Sequence, residues 1–298
     1  MELFVTGASG YIGGSVAAAL IEAGHQVRGL VRSDERAAAV RKRRIEPVQG
    51  GLDDADLLAA EAARADGVIN CAVADHRGAV EAMLPPLEGS GKLFLHTSGS
   101  SVAGDMAAGE ERDPVYDETT PIQPPPGRAA RVAIDELVLG AAARGVRAVV
   151  IRPTLIYGRG RGLHEDSIQV PWLVQMAKEH GRPRHIGAGG NRWSNVHIDD
   201  LVDLYLKIVD GGPAGALYYA ENGECSMREL CQAIGRALGQ SDGPEPMSID
   251  EAAAAWGEGA AIYTMGSNSR VRAKRARYEL DWRPSGPSLL EYVAAEVR

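Results

Sequence analysis

The sequence predicts an α/β fold with a doubly wound, parallel sheet of the Rossmann type. Short apolar segments alternate with alanine-rich helical segments through the first half of the chain. Such alternation is typical of a parallel sheet with helices on both faces. A glycine-rich loop follows the first apolar segment directly, and a chain of 298 residues is long enough to bury a large core.

Six strands are predicted in the first half of the chain, each a short run of apolar or β-branched residues. They cover residues 3–5, 26–31, 45–48, 67–71, 92–96 and 147–151. Helices are predicted between them, at residues 11–23, 34–43, 54–63, 78–87 and 129–143. Apolar residues recur on one face of the first helix, and Gly24 stands where helices commonly end.

The alternation becomes less regular after Arg152. Helices are predicted at residues 171–180, from about 198 to 209, at 227–238 and at 273–279, with a short strand at 217–219. Ser226 is expected to cap the helix that begins at Met227, with Glu229 in the capping-box position.

The glycine-rich loop is the most specific motif. It reads Thr6-Gly7-Ala8-Ser9-Gly10-Tyr11-Ile12-Gly13 and connects the first strand to the first helix. In a dinucleotide-binding loop, Gly7 allows the tight turn, Gly10 lets the backbone approach a pyrophosphate, and Gly13 allows close packing of helix and sheet. The N-terminal end of the helix then attracts the phosphates. We expect Gly7 to Gly13 to bind a dinucleotide; a purely structural turn is the alternative.

Arg32 follows the second strand, at the position that distinguishes the two nicotinamide cofactors. An acidic residue there binds the adenosine ribose of NAD, whereas an arginine accepts the 2′-phosphate of NADP. Asp34 lies two residues later, at the start of the next helix, where it can act as a cap. The pattern favours NADP over NAD.

Residues 104–127 interrupt the alternation with a long loop. Its five prolines, which include the run Pro124-Pro125-Pro126, prevent helix formation. Ligands bind beyond the carboxyl ends of the strands in an open α/β sheet, and this loop leaves such an end. We therefore expect it to border the site; an ordinary surface loop is the alternative.

The composition argues against several other classes of protein. The net charge of −8 does not suit nucleic-acid binding, which requires neutralising phosphates. No apolar run reaches the roughly 20 residues that cross a bilayer, and no basic leader precedes the first strand, so we expect a cytoplasmic protein without membrane contact. Cys71, Cys225 and Cys231 form no CxxC pair, so neither disulfides nor a metal site is expected.

Four segments resemble the extended short-chain dehydrogenases/reductases, in their nucleotide-sugar epimerase/dehydratase branch. They are the glycine-rich loop, Gly50-Gly51-Leu52-Asp53-Asp54, Arg152-Pro153-Thr154-Leu155-Ile156-Tyr157-Gly158, and the stretch from Arg192 to Leu201 that contains Val196-His197-Ile198-Asp199-Asp200. The similarity extends over essentially the whole chain.

This resemblance implies a Rossmann domain of residues 1–155, to which residues 190–222 return. Residues 156–189 and 223–298 would form a smaller, discontinuous substrate-binding domain. It also implies a nicotinamide cofactor contacted by Leu52, Ala72 and Arg131 in addition to the loop, a small-molecule substrate and, as in many members, a homodimer.

The chain departs from the family at the catalytic positions. Members use a tyrosine as acid/base, a lysine four residues later on the long helix, and an upstream serine or threonine. Gly127 and Arg131 occupy the first two positions here, and none of the five lysines follows a tyrosine by four residues. Gly99 stands at the third position, between Ser98 and Ser100. Arg131 can bind a ribose but cannot transfer a proton, because it stays protonated.

Reduction of a carbonyl without that tyrosine requires another proton donor, or strong stabilisation of the alkoxide. The candidate catalytic groups near the predicted site are Ser98, Ser100, Arg131, Tyr157 and His76, with Tyr116 and His164 as further candidates. For Tyr157 and His76 a structural role is the alternative.

Arg128, His164 and Trp193 are the candidate substrate-binding residues. A surface position is the alternative for Arg128, and a core position is the alternative for Trp193.

Three functions remain open, because the fold alone does not decide between them. The first, which we favour, is an NADP-dependent oxidoreductase that acts on a small polar or carbonyl-containing substrate with a non-standard proton donor. The second is a redox-neutral epimerase, dehydratase or isomerase. The third is a non-catalytic NADP-binding sensor or partner protein.

Overall fold

The computed structural model describes residues 1–298. Its strands are β1 (Glu2–Thr6), β2 (Gln26–Val31), β3 (Glu46–Gln49), β4 (Gly67–Asn70), β5 (Leu93–Thr97), β6 (Arg147–Pro153), β7 (Leu155–Tyr157), β8 (Arg184–Ile186), β9 (Arg192–His197), β10 (Ala216–Ala220), β11 (Glu224–Ser226) and β12 (Glu245–Met247).

Helices separate most of these strands. They are α1 (Tyr11–Glu22), α2 (Asp34–Arg41), α3 (Ala55–Arg64), α4 (Arg77–Met83), α5 (Ala129–Gly140), α6 (Gln169–His180), α7 (Ile198–Gly211), α8 (Met227–Ala237), α9 (Ile249–Trp256), α10 (Glu258–Ala260), α11 (Lys274–Glu279) and α12 (Leu289–Glu296). No helix combines the length and the apolar composition that crossing a membrane requires.

Seven strands form one parallel sheet in the order β3-β2-β1-β4-β5-β6-β10. Leu3 of β1 pairs with Val27 of β2 on one side and with Gly67 of β4 on the other. The strand order reverses at β1, and the loops that follow β1 and β4 therefore separate and leave a crevice at the carboxyl edge. The predicted doubly wound α/β fold is confirmed.

Helices cover both faces of this sheet. Leu20 of α1 and Tyr205 of α7 belong to the buried cluster on one face, whereas Leu58 of α3 and Val138 of α5 belong to the cluster on the other. The central strands β4 and β5 are buried along their whole length. Burial from both sides explains why these strands appear in the sequence as unbroken apolar runs.

The remaining strands form two small sheets, β11-β9-β7 and β12-β8. A separate buried cluster lies with them and includes Leu173 of α6, Leu230 of α8 and Val293 of α12. The boundaries of the two domains expected from the sequence stay a prediction.

Several element boundaries differ from those predicted. The helix predicted at residues 78–87 ends at Met83, because Pro85 and Pro86 lack the N–H groups that would continue it and begin a 3₁₀ turn. The capping box at α8 is confirmed: Ser226 Oγ accepts from the Glu229 N–H at 3.2 Å, and the Glu229 carboxylate accepts from the Ser226 N–H at 2.7 Å. Helices α9 and α12 were not predicted.

Candidate functional site

A cleft of about 670 Å³ lies at the crevice beside β1. Three groups of residues line it: the glycine-rich loop with the start of α1, the ends of strands β2 to β4 with the loops that follow them, and residues 154–169. The first group consists of Gly7, Ser9, Gly10, Tyr11, Ile12 and Gly13.

The glycine-rich loop requires glycine at two positions. Gly7 has φ +71°, and a Cβ there would lie 2.8 Å from the Cys71 carbonyl oxygen. A Cβ on Gly13 would overlap the Gly7 carbonyl oxygen, because α1 begins so close to the loop. Gly10 precedes α1, whose first turn carries no acidic side chain. The exposed N–H groups of such a helix start can bind a pyrophosphate.

Ala8, like Thr6, does not line the cleft. Its methyl group is buried under the sheet, so close to Gly29 that a Cβ on that glycine would lie 2.6 Å away. Ala8 therefore packs the loop against β2.

A segment with glycine at residues 158, 160 and 162 covers the start of α1. Tyr11 donates from its hydroxyl to the Gly158 carbonyl at 2.8 Å, and a Cβ on Gly160 would lie 2.5 Å from the Tyr11 ring. Gly162 contacts the backbone at Gly10 and Gly14. These contacts bring His164 and the start of α6 to the cleft. This contact was not predicted from the sequence. The glycines at every second position were nevertheless a signal that another part of the backbone approaches closely.

Two arginines line the cleft at the end of β2. Arg32 follows the strand, and Arg36 lies one turn later on α2. Asp34 points elsewhere, since its carboxylate accepts from the Gln49 side chain at 2.5 Å. No carboxylate of the chain pairs with Arg32 or Arg36, so both guanidinium groups are available to an anion. Arg36 was missed because it lies within α2, beyond the strand end at which the residue that selects the cofactor is expected.

His76 lines the cleft with both ring nitrogens engaged. Its Nδ1 accepts from the Ala79 N–H at 3.1 Å and caps α4, and its Nε2 lies 3.1 Å from Asp53 Oδ1. Leu52 and Ala72 line the cleft nearby. Both bonds are made to the protein itself, and the catalytic role of His76 stays a prediction.

Arg131 lies beside Gly99 and is held by Asp75. The two side chains form a bidentate pair, with Nε–Oδ1 at 2.8 Å and Nη2–Oδ2 at 2.5 Å. A third bond, at 3.4 Å, joins Arg131 to Ser101 Oγ, and a Cβ on Gly99 would also lie 3.4 Å from the guanidinium. The hydrogen bond from Arg131 lowers the pKa of Asp75. A positive group is thus fixed next to the family's serine position.

Ser98 and Ser100 do not line the cleft. Ser98 is buried and donates to Asp135 Oδ2 at 3.0 Å, and the same carboxylate accepts from Arg152 Nε at 2.8 Å. Ser100 is also buried and bonded to Ser269 at 2.8 Å. Both hydroxyls belong to buried networks, because the backbone turns them inward on either side of Gly99.

Tyr157 and Trp193 lie in the core around the small sheets. Tyr157 is fully buried and donates to the Pro287 carbonyl at 2.6 Å, and burial raises its pKa. Trp193 is also buried and donates from its indole N–H to the Ser267 carbonyl at 2.7 Å. The structure therefore does not bring either side chain to the cleft.

Arg128 contacts the aromatic ring of Tyr263, and this contact was not predicted from the sequence. Its guanidinium lies over Tyr263, 5.0 Å from the ring centroid, and burial lowers the pKa of Arg128. Tyr263 follows α10 and is far from α5 in sequence, so no local pattern indicated the contact.

The loop of residues 104–127 contributes nothing to the lining of the main cleft. Its first half, with residues 268–270, lines a separate cavity of about 210 Å³ that includes Tyr116. The structure therefore does not bring this loop to the main cleft, and its end, at Gly127, lies beside Tyr263 instead.

Curated relatives match the chain end to end. Oxidase ucsJ of Acremonium sp is 33% identical over 338 residues, covering 100% of this chain and 97% of that protein. Protein YLL056C of Saccharomyces cerevisiae is 32% identical over 314 residues, with 99% and 98% covered. A 2-alkyl-3-oxoalkanoate reductase of Stenotrophomonas maltophilia is 28% identical, with 80% and 76% covered.

Solved structures share the fold. The dTDP-glucose 4,6-dehydratase of Bacillus anthracis in complex with NAD superimposes with a TM-score of 0.76 at 19% identity, covering 98% of this chain and 95% of that one. The family model for the NAD dependent epimerase/dehydratase family matches residues 3–218. A nicotinamide nucleotide is the cofactor expected of such a protein. The match over more than half of the chain, and two relatives above 30% identity, show that the chain belongs to the NAD-dependent epimerase/dehydratase family of extended short-chain dehydrogenases/reductases.

Proposed function

We propose that this chain is an NADPH-dependent reductase of carbonyl groups in small molecules with an apolar part. One observation carries the proposal: the same cleft contains a glycine cradle for a pyrophosphate and two arginines, Arg32 and Arg36, that no carboxylate of the chain engages. Two free guanidinium groups at the end of the second strand suit the 2′-phosphate that distinguishes NADP from NAD.

The residues present fit a nicotinamide dinucleotide. A Cβ at Gly7 or Gly13 would collide with the Cys71 or the Gly7 carbonyl oxygen, so glycine at both positions keeps the loop and the start of α1 in the arrangement that can receive a pyrophosphate. The N–H groups at the start of α1 would bind the pyrophosphate, Arg32 and Arg36 the 2′-phosphate, and Leu52 offers apolar surface to the adenine ring.

A bound cofactor of this class supplies or accepts a hydride at its nicotinamide ring. The contribution of Arg131 is a fixed positive charge beside Gly99, which stabilises negative charge on a carbonyl oxygen. Asp75 keeps that charge in place through two hydrogen bonds. Ser98 and Ser100 are committed to buried partners, so a proton must come from another group.

The apolar character of the substrate is inferred from two exposed side chains. Val73 and Ile168 both line the cleft, and each is 60% exposed. Large apolar side chains left this open at a cleft indicate that an apolar part of a ligand covers them. The Stenotrophomonas relative is by its name a reductase of 2-alkyl-3-oxoalkanoates, which combine a carbonyl group with alkyl chains.

Calorimetric titration with NADPH and NADH tests the cofactor, and loss of NADPH absorbance over 3-oxoalkanoates of increasing chain length tests the reaction. We expect tighter binding of NADPH and a rate that increases with chain length. Equal affinity for the two cofactors would contradict the role of the arginines. Conversion without net cofactor change would indicate a redox-neutral isomerase or dehydratase, and binding without any conversion would indicate a sensor.

A further inference from the structure

Gly127 and Tyr263 occupy one shared volume. A Cβ built on Gly127 would lie 2.5 Å from Cε2, 2.6 Å from Cζ and 2.9 Å from the hydroxyl of Tyr263. The ring therefore fills the space that a side chain at residue 127 would take. Any residue larger than glycine there would displace the phenol.

This position is the one at which the family carries its catalytic tyrosine. Gly127 lies in the 3₁₀ turn of residues 126–128 that precedes α5, and Arg131 lies in the first turn of that helix. The Tyr263 ring therefore packs against the turn at the N-terminal end of α5, the end at which Arg131 reaches Gly99.

The surroundings of Tyr263 are positively charged. The guanidinium of Arg128 lies over the ring at 5.0 Å, and its Nε is buried without a hydrogen-bond partner. A cation over an aromatic face is attracted to the ring, and it stabilises negative charge that develops beside it. Arg131 adds a second positive charge nearby, partly offset by Asp75.

Tyr263 also differs from five other tyrosines in its hydrogen bonding. Each of those donates to, or pairs with, a fixed group of the protein, as Tyr11, Tyr157, Tyr205, Tyr218 and Tyr219 show. The hydroxyl of Tyr263 bonds to no protein group, and its side chain is half-buried beside the exposed Gly127. A ligand at this surface can reach it.

We propose that Tyr263, delivered from the segment after α10, replaces the missing tyrosine of the long helix as the proton donor of this enzyme. The inference rests on the proposed function, carbonyl reduction with NADPH. The carbonyl carbon gains the hydride that NADPH would supply on oxidation to NADP⁺, the carbonyl oxygen gains the phenolic proton of Tyr263, and solvent water then returns a proton to the phenolate. Arg128 and Arg131 stabilise the negative charge in between.

The test is Tyr263→Phe, which removes the hydroxyl and keeps the ring that fills the space at Gly127. We expect NADPH affinity within about twofold of wild type, and turnover reduced by roughly 10²–10⁴-fold, the usual contribution of a positioned proton donor. Gly127→Ala should also reduce turnover, because its Cβ would push the phenol aside. Tyr278→Phe, whose ring is 91% exposed, is the matched control and should behave as wild type.

A crystal structure with NADP⁺ provides a readout that does not depend on turnover. We expect the Tyr263 hydroxyl to face the nicotinamide end of the cleft without a protein acceptor. Unchanged turnover in Tyr263→Phe, or a hydroxyl that donates to the protein in that complex, would overturn the inference. If the wild-type protein binds NADPH but reduces no carbonyl, the proposed function is contradicted instead. In that case the crystal structure with NADP⁺ alone tests whether the Tyr263 hydroxyl faces the cofactor.

Discussion

Arg131 of α5 and Asp75 of the loop after β4 form a bidentate ion pair that fixes a positive charge beside Gly99. Val73, two residues before Asp75, lines the cleft, so the pair ties the long helix to the cleft wall. The pair lowers the pKa of Asp75, so its stabilising effect is present at neutral pH. That effect is lost only as the pH falls below the ordinary carboxyl value of 3.8, through the lowered pKa.

Arg131→Lys keeps the charge but loses the planar fork that binds both carboxylate oxygens. We expect faster amide hydrogen exchange at residues 71–76, lower turnover, and a loss of at most about 1 kcal/mol in unfolding free energy, because the pair is partly exposed. Arg77→Lys is the control, since it changes an exposed pair with Glu81 on α4. If amide hydrogen exchange at residues 71–76 is as slow in Arg131→Lys as in wild type, the ion pair does not hold the loop in place.

Arg32→Ala and Arg36→Ala should each weaken NADPH binding by roughly 10–100-fold, the range for losing a hydrogen bond to a charged group. NADH binding should stay within about twofold, because NADH lacks the 2′-phosphate. Arg32→Asp should reduce or reverse the preference for NADPH over NADH. Calorimetric dissociation constants measure each case, and Arg41→Ala at the far end of α2 is the control. Equal losses for NADPH and NADH would mean that the arginines do not bind the 2′-phosphate.

Gly13→Ala should abolish nucleotide binding, since its Cβ would overlap the Gly7 carbonyl oxygen. We also expect it to destabilise the fold, because neither α1 nor the loop can move without disturbing β1. Gly140→Ala is the matched control: Gly140 has helical φ −63°, and nothing lies within 4 Å of its added Cβ. That change should raise stability by about 0.4–1 kcal/mol. Thermal melts with and without NADPH distinguish the variants, and a nucleotide-induced shift in Gly13→Ala would contradict the model of the cradle.

His96 should make stability depend on pH. It is fully buried beside Asn70, and its Nε2 lies 3.9 Å from Asp135 without a hydrogen bond. Burial, with Arg131 adding to it, lowers the pKa of His96 from 6.5 to about 4. Between pH 6.5 and about pH 4, His96 is protonated in the unfolded chain but stays neutral in the folded protein. The stabilisation is therefore complete above pH 6.5 and is lost as the pH falls towards 4.

The expected loss is about 3 kcal/mol of unfolding free energy between pH 7 and pH 4. Urea denaturation at the two pH values measures it. His96→Gln cannot take up the proton and should reduce the difference between the two pH values, whereas His180→Gln, at an exposed position on α6, should leave it unchanged. If His96→Gln loses as much unfolding free energy between pH 7 and pH 4 as wild type does, other titrating groups cause the loss.

Much of the fold could be predicted because its signals are local in sequence. Apolar runs marked β4 and β5, and Ser226 with Glu229 marked the start of α8. The short strands β8 and β12 were missed, since three residues carry too little periodicity to be recognised. Tyr157 and Trp193 matched family segments, but a family pattern does not tell whether a side chain faces a cleft or a core.

The sequence by itself determined the doubly wound fold, the glycine cradle of Gly7 to Gly13 and the absence of a tyrosine–lysine pair, because each depends on residues adjacent or four apart along the chain. Only the tertiary structure decided that Asp75 holds Arg131 and that Tyr263 fills the space over Gly127. Those contacts join segments distant in sequence, and packing between separate elements, rather than any local periodicity, determines which side chains meet there.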